Sequence, residues 1–453
     1  MRPTVRAILI VVLGLAVGSI HAGEPLTLER AVATTLENSP AIRASRSEAE
    51  AAAARAKQAK GHRWFSLDLM ELYDRTNNPA EVFAFQLNQE RFDMMEFFQS
   101  DPNHPDWLDT WVTRLELTLP VYTGGKLGSR ISQAELMSEA ASLEAEWAVQ
   151  QAAYDTITAY VDLAKAREYR DLLETARETT AKHVELAERY AEQGFILDAE
   201  VLKAKVYLAK MDELVEQARN GARLAEAALN FQMGIDQTRH HELAPLPPPP
   251  AAGGTLDSWI AAGLERRPDL LAARKKLDAG RLEEKVARSG YLPEVAIKGR
   301  YDLYDDTVFG SHGDSGAIMA VARINLFRGG ADAAAVEAAS HRTASWQSDI
   351  ERFEEGVRLE IQQAYHDLET ARTRHATARS ALDAATEELR IREKRFKEGL
   401  EKMIDLLDAE TALREARVRE LVARYDVTLS TWRLELASGA NLTDIVMPRE
   451  ATE

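Results

Sequence analysis

Hydrophobic and polar positions alternate one by one in four short stretches of this chain. In most of the rest, apolar residues recur every three to four positions. In "TRLELTLP", Leu115, Leu117 and Leu119 share one face, and Arg114, Glu116 and Thr118 the other. That is the period-two pattern of a strand with unlike faces. "FSLDLMELY", from Phe65 to Tyr73, alternates in the same way. In "EVAIKGRYDLY", Val295, Ile297, Tyr301 and Leu303 oppose Lys298, Arg300 and Asp302. In "AIMAVARINLF", Ile318, Ile324 and Leu326 oppose Arg323 and Asn325. Four strands are predicted. Pro120 is expected to stop the ladder of the second, and Gly124-Gly125 and Gly329-Gly330 to turn strand into helix.

After each glycine pair the pattern turns helical and stays so. Gly125 to Gly194 and Gly330 to Gly399 are 69 steps each, about 100 Å of helix at 1.5 Å per residue. A heptad follows Gly194: Val201, Leu208, Val215, Ala222 and Leu229, with Ala204, Met211, Ala218 and Ala225 three further on. Leu406, Leu413, Val427 and Leu434, with Ala409, Ala416 and Ala423, repeat it after Gly399, interrupted by Glu420. Heptads with small second positions predict close antiparallel coiled-coil hairpins, turning near Gly194 and Gly399. Leu28–Lys60 and Thr255–Arg288 read as one further helix each.

The chain is duplicated. A shift of 205 carries Gly124-Gly125 onto Gly329-Gly330, Ala159-Tyr160 onto Ala364-Tyr365, Gly194 onto Gly399 and Gly234 onto Gly439. Upstream the shift is 228, with Pro40 on Pro268, so the first copy holds 23 additional residues near Asn77–Asp106. The expected organisation is a first repeat at 23–242, a Pro/Gly linker at 243–254, a second repeat at 255–439 and a tail at 440–453. The additional loop carries Phe83, Phe85, Phe92, Met94, Met95, Phe97 and Phe98, too apolar for a free tip. Packing on the rim of its own strands is the favoured expectation, and a lid over an outer mouth the other.

Arg2 and Arg6, the apolar run Ala7–Val17 and the small residue Ala22 match an export signal over residues 1–22. Beyond it no apolar run approaches the length of a membrane-spanning helix. The chain has no cysteine and a net charge of −17. Disulfides and thiolate metal sites are excluded, and the acidic balance argues against nucleic acid as a partner. Strands apolar on one face and charged on the other suit a soluble sandwich or a lipid-facing barrel with a wet lumen. Four strands cannot close a barrel, and an open edge in lipid leaves backbone groups unpaired at several kcal/mol each. If these strands cross a membrane, several chains must share one barrel.

The duplicated strand–GlyGly–helix joints, "RFKEGLEKMIDLLDAETAL" (Arg395 to Leu413) and the pairing of "AYVDLAKAREYRDLLETA" with "AYHDLETARTRHATARSA" resemble the TolC-type outer membrane efflux proteins of Gram-negative bacteria. The resemblance covers essentially the whole chain after residue 22. It implies an α+β membrane protein of two repeats. Three protomers would each give four strands to a 12-stranded β-barrel, continued through the periplasm by an α-helical barrel. It implies an exit duct for efflux or type I secretion, with a periplasmic adaptor and an inner-membrane RND, ABC or MFS pump as partners. Asp405 and Asp408 fall on the aspartates that ring the family's periplasmic aperture. By their residues alone they equally suit the start of a helix. Glu200 holds the first-copy position equivalent to Asp405, with Asp198 the alternative. Phe396 stands where the family often has a tyrosine of the closed-state latch, and Glu401 where its best-known members have an arginine. The turns at Gly194 and Gly399, flanked by Arg189 and Arg395, are where adaptor hairpins dock in that family.

Catalytic signatures are missing from the sequence. His240-His241 lacks a second pair at metal-ligand spacing, and no phosphate-binding loop, dinucleotide fingerprint or nucleophile elbow occurs. "GDSGA" at Gly313 resembles a serine-protease stretch but falls in an expected hairpin loop. No enzyme activity, metal or cofactor is expected. A periplasmic adaptor or a structural coiled coil is the competing reading; neither accounts for two hairpins with strands at their far ends.

Overall fold

The computed structural model describes residues 25–447, so the expected export signal at 1–22 lies outside the described residues. The chain divides into two compact units. One comprises residues 25–34 with 156–248, the other 35–155 with 249–447. Among the described residues no helix is long and apolar enough to cross a membrane.

The four strands form one antiparallel sheet in the second unit: β1 (Ser66–Thr76), β2 (Leu108–Thr123), β3 (Glu294–Asp305) and β4 (Gly313–Arg323), in that spatial order. Register aligns Leu67 with Leu117, Leu69 with Leu115, Leu117 with Gly299 and Gly299 with Ile318. One face therefore gathers Leu67, Leu69, Leu115, Ile297, Tyr301 and Ile318, all exposed. Glu71 interrupts that face, and its carboxylate accepts from the Thr113 hydroxyl and the Phe309 amide. The opposite face carries Arg114, whose guanidinium donates to both oxygens of Asp302 at 2.7 and 3.0 Å. Asp302 is fully buried. Among the described residues β1 and β4 each have one unpaired edge.

Several sequence expectations are corrected by the structure. β2 does not stop at Pro120; it runs on to Thr123 across a register shift between Pro120 and Tyr122. A bulge is one of the few places where a residue without an N–H fits a ladder. β4 begins at Gly313, so "GDSGA" is strand rather than loop, and it ends at Arg323, leaving Ile324 and Leu326 outside. The upstream helices are each two: α1 (Leu28–Asn38) with α2 (Pro40–Gly61), and α7 (Leu256–Arg266) with α8 (Pro268–Arg288). Pro40 and Pro268 cannot donate to the preceding turn and start new helices at N1.

The segment after β1 is not a loop. It folds into α3 (Pro79–Asn88) and α4 (Met94–Gln99), capped by the side chains of Asn78 and Asp93.

The long helices are α5 (Lys126–Glu192) and α9 (Ala331–Lys397), of 67 residues each. Their successors α6 (Asp198–Gln232) and α10 (Met403–Ala437) have 35 residues each. In the first unit, Arg167–Glu226, Glu174–Arg219 and Glu188–Lys205 pair at 2.7–2.8 Å, which sets α5 and α6 antiparallel. Val201, Ala204, Met211, Val215, Ala218, Ala222 and Leu229 of the expected heptad are buried. In the second unit, Leu406, Ala409, Leu413, Ala416, Ala423 and Leu434 of α10 are buried too. Glu420, the break in that heptad, meets His375 of α9 at 3.3 Å. A short α11 (Leu442–Val446) follows.

Gly124 and Gly125 take φ of 61° and 79°, Gly329 and Gly330 62° and 85°, a region L side chains avoid. The two glycine pairs differ in crowding. A Cβ on Gly124 would lie 2.8 Å from Leu292 Cβ and 3.0 Å from the Ser289 carbonyl, whereas one on Gly329 meets nothing within 4 Å.

In the first unit, Tyr160 is wholly buried and its hydroxyl sits 2.8 and 2.9 Å from the Leu26 and Ala244 carbonyls. Burial pushes that phenol up to about 12. The residue fastens the N-terminal strand bridge at Leu26–Leu243. Tyr160→Phe should leave the packing intact and remove about 1.4 kcal/mol of local stability. Hydrogen exchange at the Leu26 and Ala244 amides would then quicken about tenfold; unchanged exchange would show that the hydroxyl holds nothing.

Candidate functional site

The helical turns are built alike, each in its own unit. α5 ends with the Gly194 amide donating to the Ala191 carbonyl and the Phe195 amide to the Tyr190 carbonyl. α9 ends with Gly399 donating to Phe396 and Leu400 to Arg395. The glycines have φ of 77° and 74°. This six-to-one closure with a left-handed residue at the end is a Schellman cap, and it explains why glycine stands at both positions. Phe195, Leu197 and Leu400 remain exposed at the turns.

At the second turn Glu401 is the centre. Its side chain is only 7% exposed and lies between two arginines. The Arg395 guanidinium donates to one carboxylate oxygen at 2.7 Å, and Arg392 to the other. Burial alone would raise this carboxyl, but the bonds from Arg392 and Arg395 outweigh it and hold it below the usual carboxylate range. The same carboxylate pushes Arg392 up. Asp405, in the first turn of α10, adds to the negative field that Arg392 feels. Phe396 is buried under this turn, and Asp408 is exposed one helical turn beyond Asp405.

The structure therefore brings Arg392, Arg395, Glu401 and Asp405 together. The charge reversal at Glu401 is not a loss of contact, because the cations come from α9. Sequence reasoning missed Arg392; its spacing of three from Arg395 puts both on one helix face. At the first turn Glu200 accepts from Lys203 at 3.0 Å and buries its other oxygen. Arg189 donates to the Glu185 carbonyl of its own helix, at 3.4 Å. Asp198 opens α6 and is exposed.

A model of the outer membrane efflux protein family matches residues 31–234 and 259–440. The chain belongs to this family. It is 26% identical over 316 residues to CyaE of Bordetella pertussis, covering 69% of this chain and 66% of that protein. Against the alkaline protease secretion protein AprF of Pseudomonas aeruginosa it is 22% identical, covering 89% and 82%. The fold is also that of VceC, an outer membrane protein of Vibrio cholerae, at TM-score 0.76 and 20% identity over 92% of this chain and 96% of that one. A membrane protein from Pseudomonas aeruginosa superposes at TM-score 0.79 with 19% identity, covering 91% and 93%. This efflux protein is thus a mostly helical chain with a small antiparallel sheet. It is a Gram-negative outer membrane channel that extends into the periplasm, and a conduit rather than an enzyme.

Proposed function

We propose that three copies of this chain, each built of two repeats (23–242 and 255–439), join their sheets into a 12-stranded barrel. Their helical hairpins continue the duct into the periplasm. An adaptor docks at the turns around Gly194 and Gly399, passing on cargo from an RND, ABC or MFS pump. The observation that carries this reading is the four-stranded sheet with an apolar exposed face and two open edges. Hydrogen-bond accounting in lipid requires those edges to meet other chains. Membership in the outer membrane efflux protein family supports the duct. Asp405 and Asp408 are proposed as the aperture, with Glu200 as the first-repeat counterpart; three copies of each aspartate around a narrow mouth would attract cations.

The test is single-channel recording on the purified oligomer. Multivalent cations added to the periplasmic side should block the native channel, and Asp405→Ala with Asp408→Ala should weaken that block about tenfold or more. Unchanged block would remove these residues from the mouth. Recovery of the protein as a soluble periplasmic monomer would sink the duct itself.

A further inference from the structure

The 23 residues that the second repeat lacks are placed on one particular side of the sheet. Strand alternation puts Thr110, Val112, Tyr304 and Gly313 on the face that also bears Arg114 and Asp302, opposite the exposed leucines. The α3 segment lies on that polar face. Gln89, fully buried, donates from its amide to the Thr110 hydroxyl at 2.9 Å. Phe85 packs against Tyr304 with ring centres 6.4 Å apart. Val112 and Tyr304 are only 5% and 6% exposed. The Asn88 carbonyl approaches Gly313 so closely that a Cβ there would lie 2.0 Å from it. Beyond the sheet, Arg91 pairs with Asp306 of the β3–β4 loop at 2.6 Å.

α4 is tied to α3 by rings, with Phe83 against Phe92 and Phe97 at 5.2 and 5.6 Å. This leaves Met94, Met95 and Phe98 58–76% exposed, an apolar patch left uncovered among the described residues.

We propose that α3 and α4 are an outer plug: they occupy the lumen side of the barrel wall at its outer end, and the Met94–Met95–Phe98 patch is covered by the same patch of the neighbouring copies. This rests on the barrel reading above. If the leucine face meets lipid, the polar face meets the lumen. Whatever is built on that face in one copy is then built there in all copies around the axis. A second copy is therefore the partner within reach of an exposed apolar patch that α4 carries beside α3 on that face. The duct then has two closures in series, a charged one at the turns and an apolar one at the outer mouth, where apolar constrictions close by excluding water.

The chain has no cysteine, so a single Phe98→Cys is a clean probe in the full-length oligomer. A short bis-maleimide should convert most of the chains to covalent dimers with one chain left over per trimer. Gly313→Val adds atoms where Asn88 sits, lifts α3, and should cut that dimer yield severalfold while leaving the oligomer intact. Met95→Cys is the second reporter, should Phe98→Cys fail to assemble. A conducting, heat-modifiable Phe98→Cys oligomer that never cross-links, and whose introduced thiol is labelled freely by a membrane-impermeant maleimide from outside, would overturn the plug alone. Absence of any oligomer or conductance would overturn the barrel reading beneath it.

Discussion

Arg267→Ala should lower the unfolding free energy by about 3 kcal/mol, near the lower end of what breaking a buried ion pair costs. Arg267 joins α7 to α8 and is 4% exposed. Its guanidinium donates to Asp269 at 2.7 and 3.1 Å, to Glu360 of α9 at 2.5 Å and to the Ala437 carbonyl of α10 at 3.3 Å. It also stacks 4.8 Å over the Trp147 ring of α5. One side chain thus ties the upstream helices to three others in the second unit. Glu360 is 42% exposed, so water recovers part of the loss, which keeps the figure from the top of the range. Arg267→Lys keeps the charge but loses the planar fork and the ring contact, and should fall between native and alanine. Denaturant midpoints of the detergent-solubilised protein would decide it; an alanine variant as stable as the native chain would show that the node is redundant.

The second large effect is on gating. Glu401→Arg puts a third cation beside Arg392 and Arg395 and should force the α9–α10 turn apart, raising the open-to-closed ratio about tenfold. Glu401→Gln should do so more weakly, since hydrogen bonds survive without charge. Acid should imitate the mutations. The folded carboxyl titrates below its ordinary value, so its contribution is complete above the usual carboxylate range and disappears as pH falls through the lowered value. Conductance of the native channel should therefore rise only in that acid window, and the Gln variant should lack the acid-induced component. A native profile without that rise, or one retained in the Gln variant, would separate the turn from gating.

Much of this was legible in the pattern. Most heptad positions of α6 and α10 are buried, with Leu208, Ala225 and Val427 half-buried, because burial on a regular helix follows its period. The glycine pairs and turn glycines stand where φ is positive, which chemistry at the residue itself dictates. α3 and α4 were not legible: their apolar text lacks a clear period and read as a loop. Pro40 and Pro268 were visible, but helical pattern resumes so soon after each that two helices read as one. The setting of Glu401 was not legible. Its partners lie across a turn whose path only the fold supplies, and substitution by opposite charge reads as loss until the cations on α9 are in view.

The two open sheet edges carry a genetic consequence. In the proposed trimer every chain lends one edge to each neighbour, so a chain with a spoiled β4 edge still recruits a normal partner through β1. Such a variant acts dominantly: co-expressed in equal amount with the native chain, it would leave roughly one assembly in eight free of a faulty seam. A null allele, which contributes no chain at all, would be recessive.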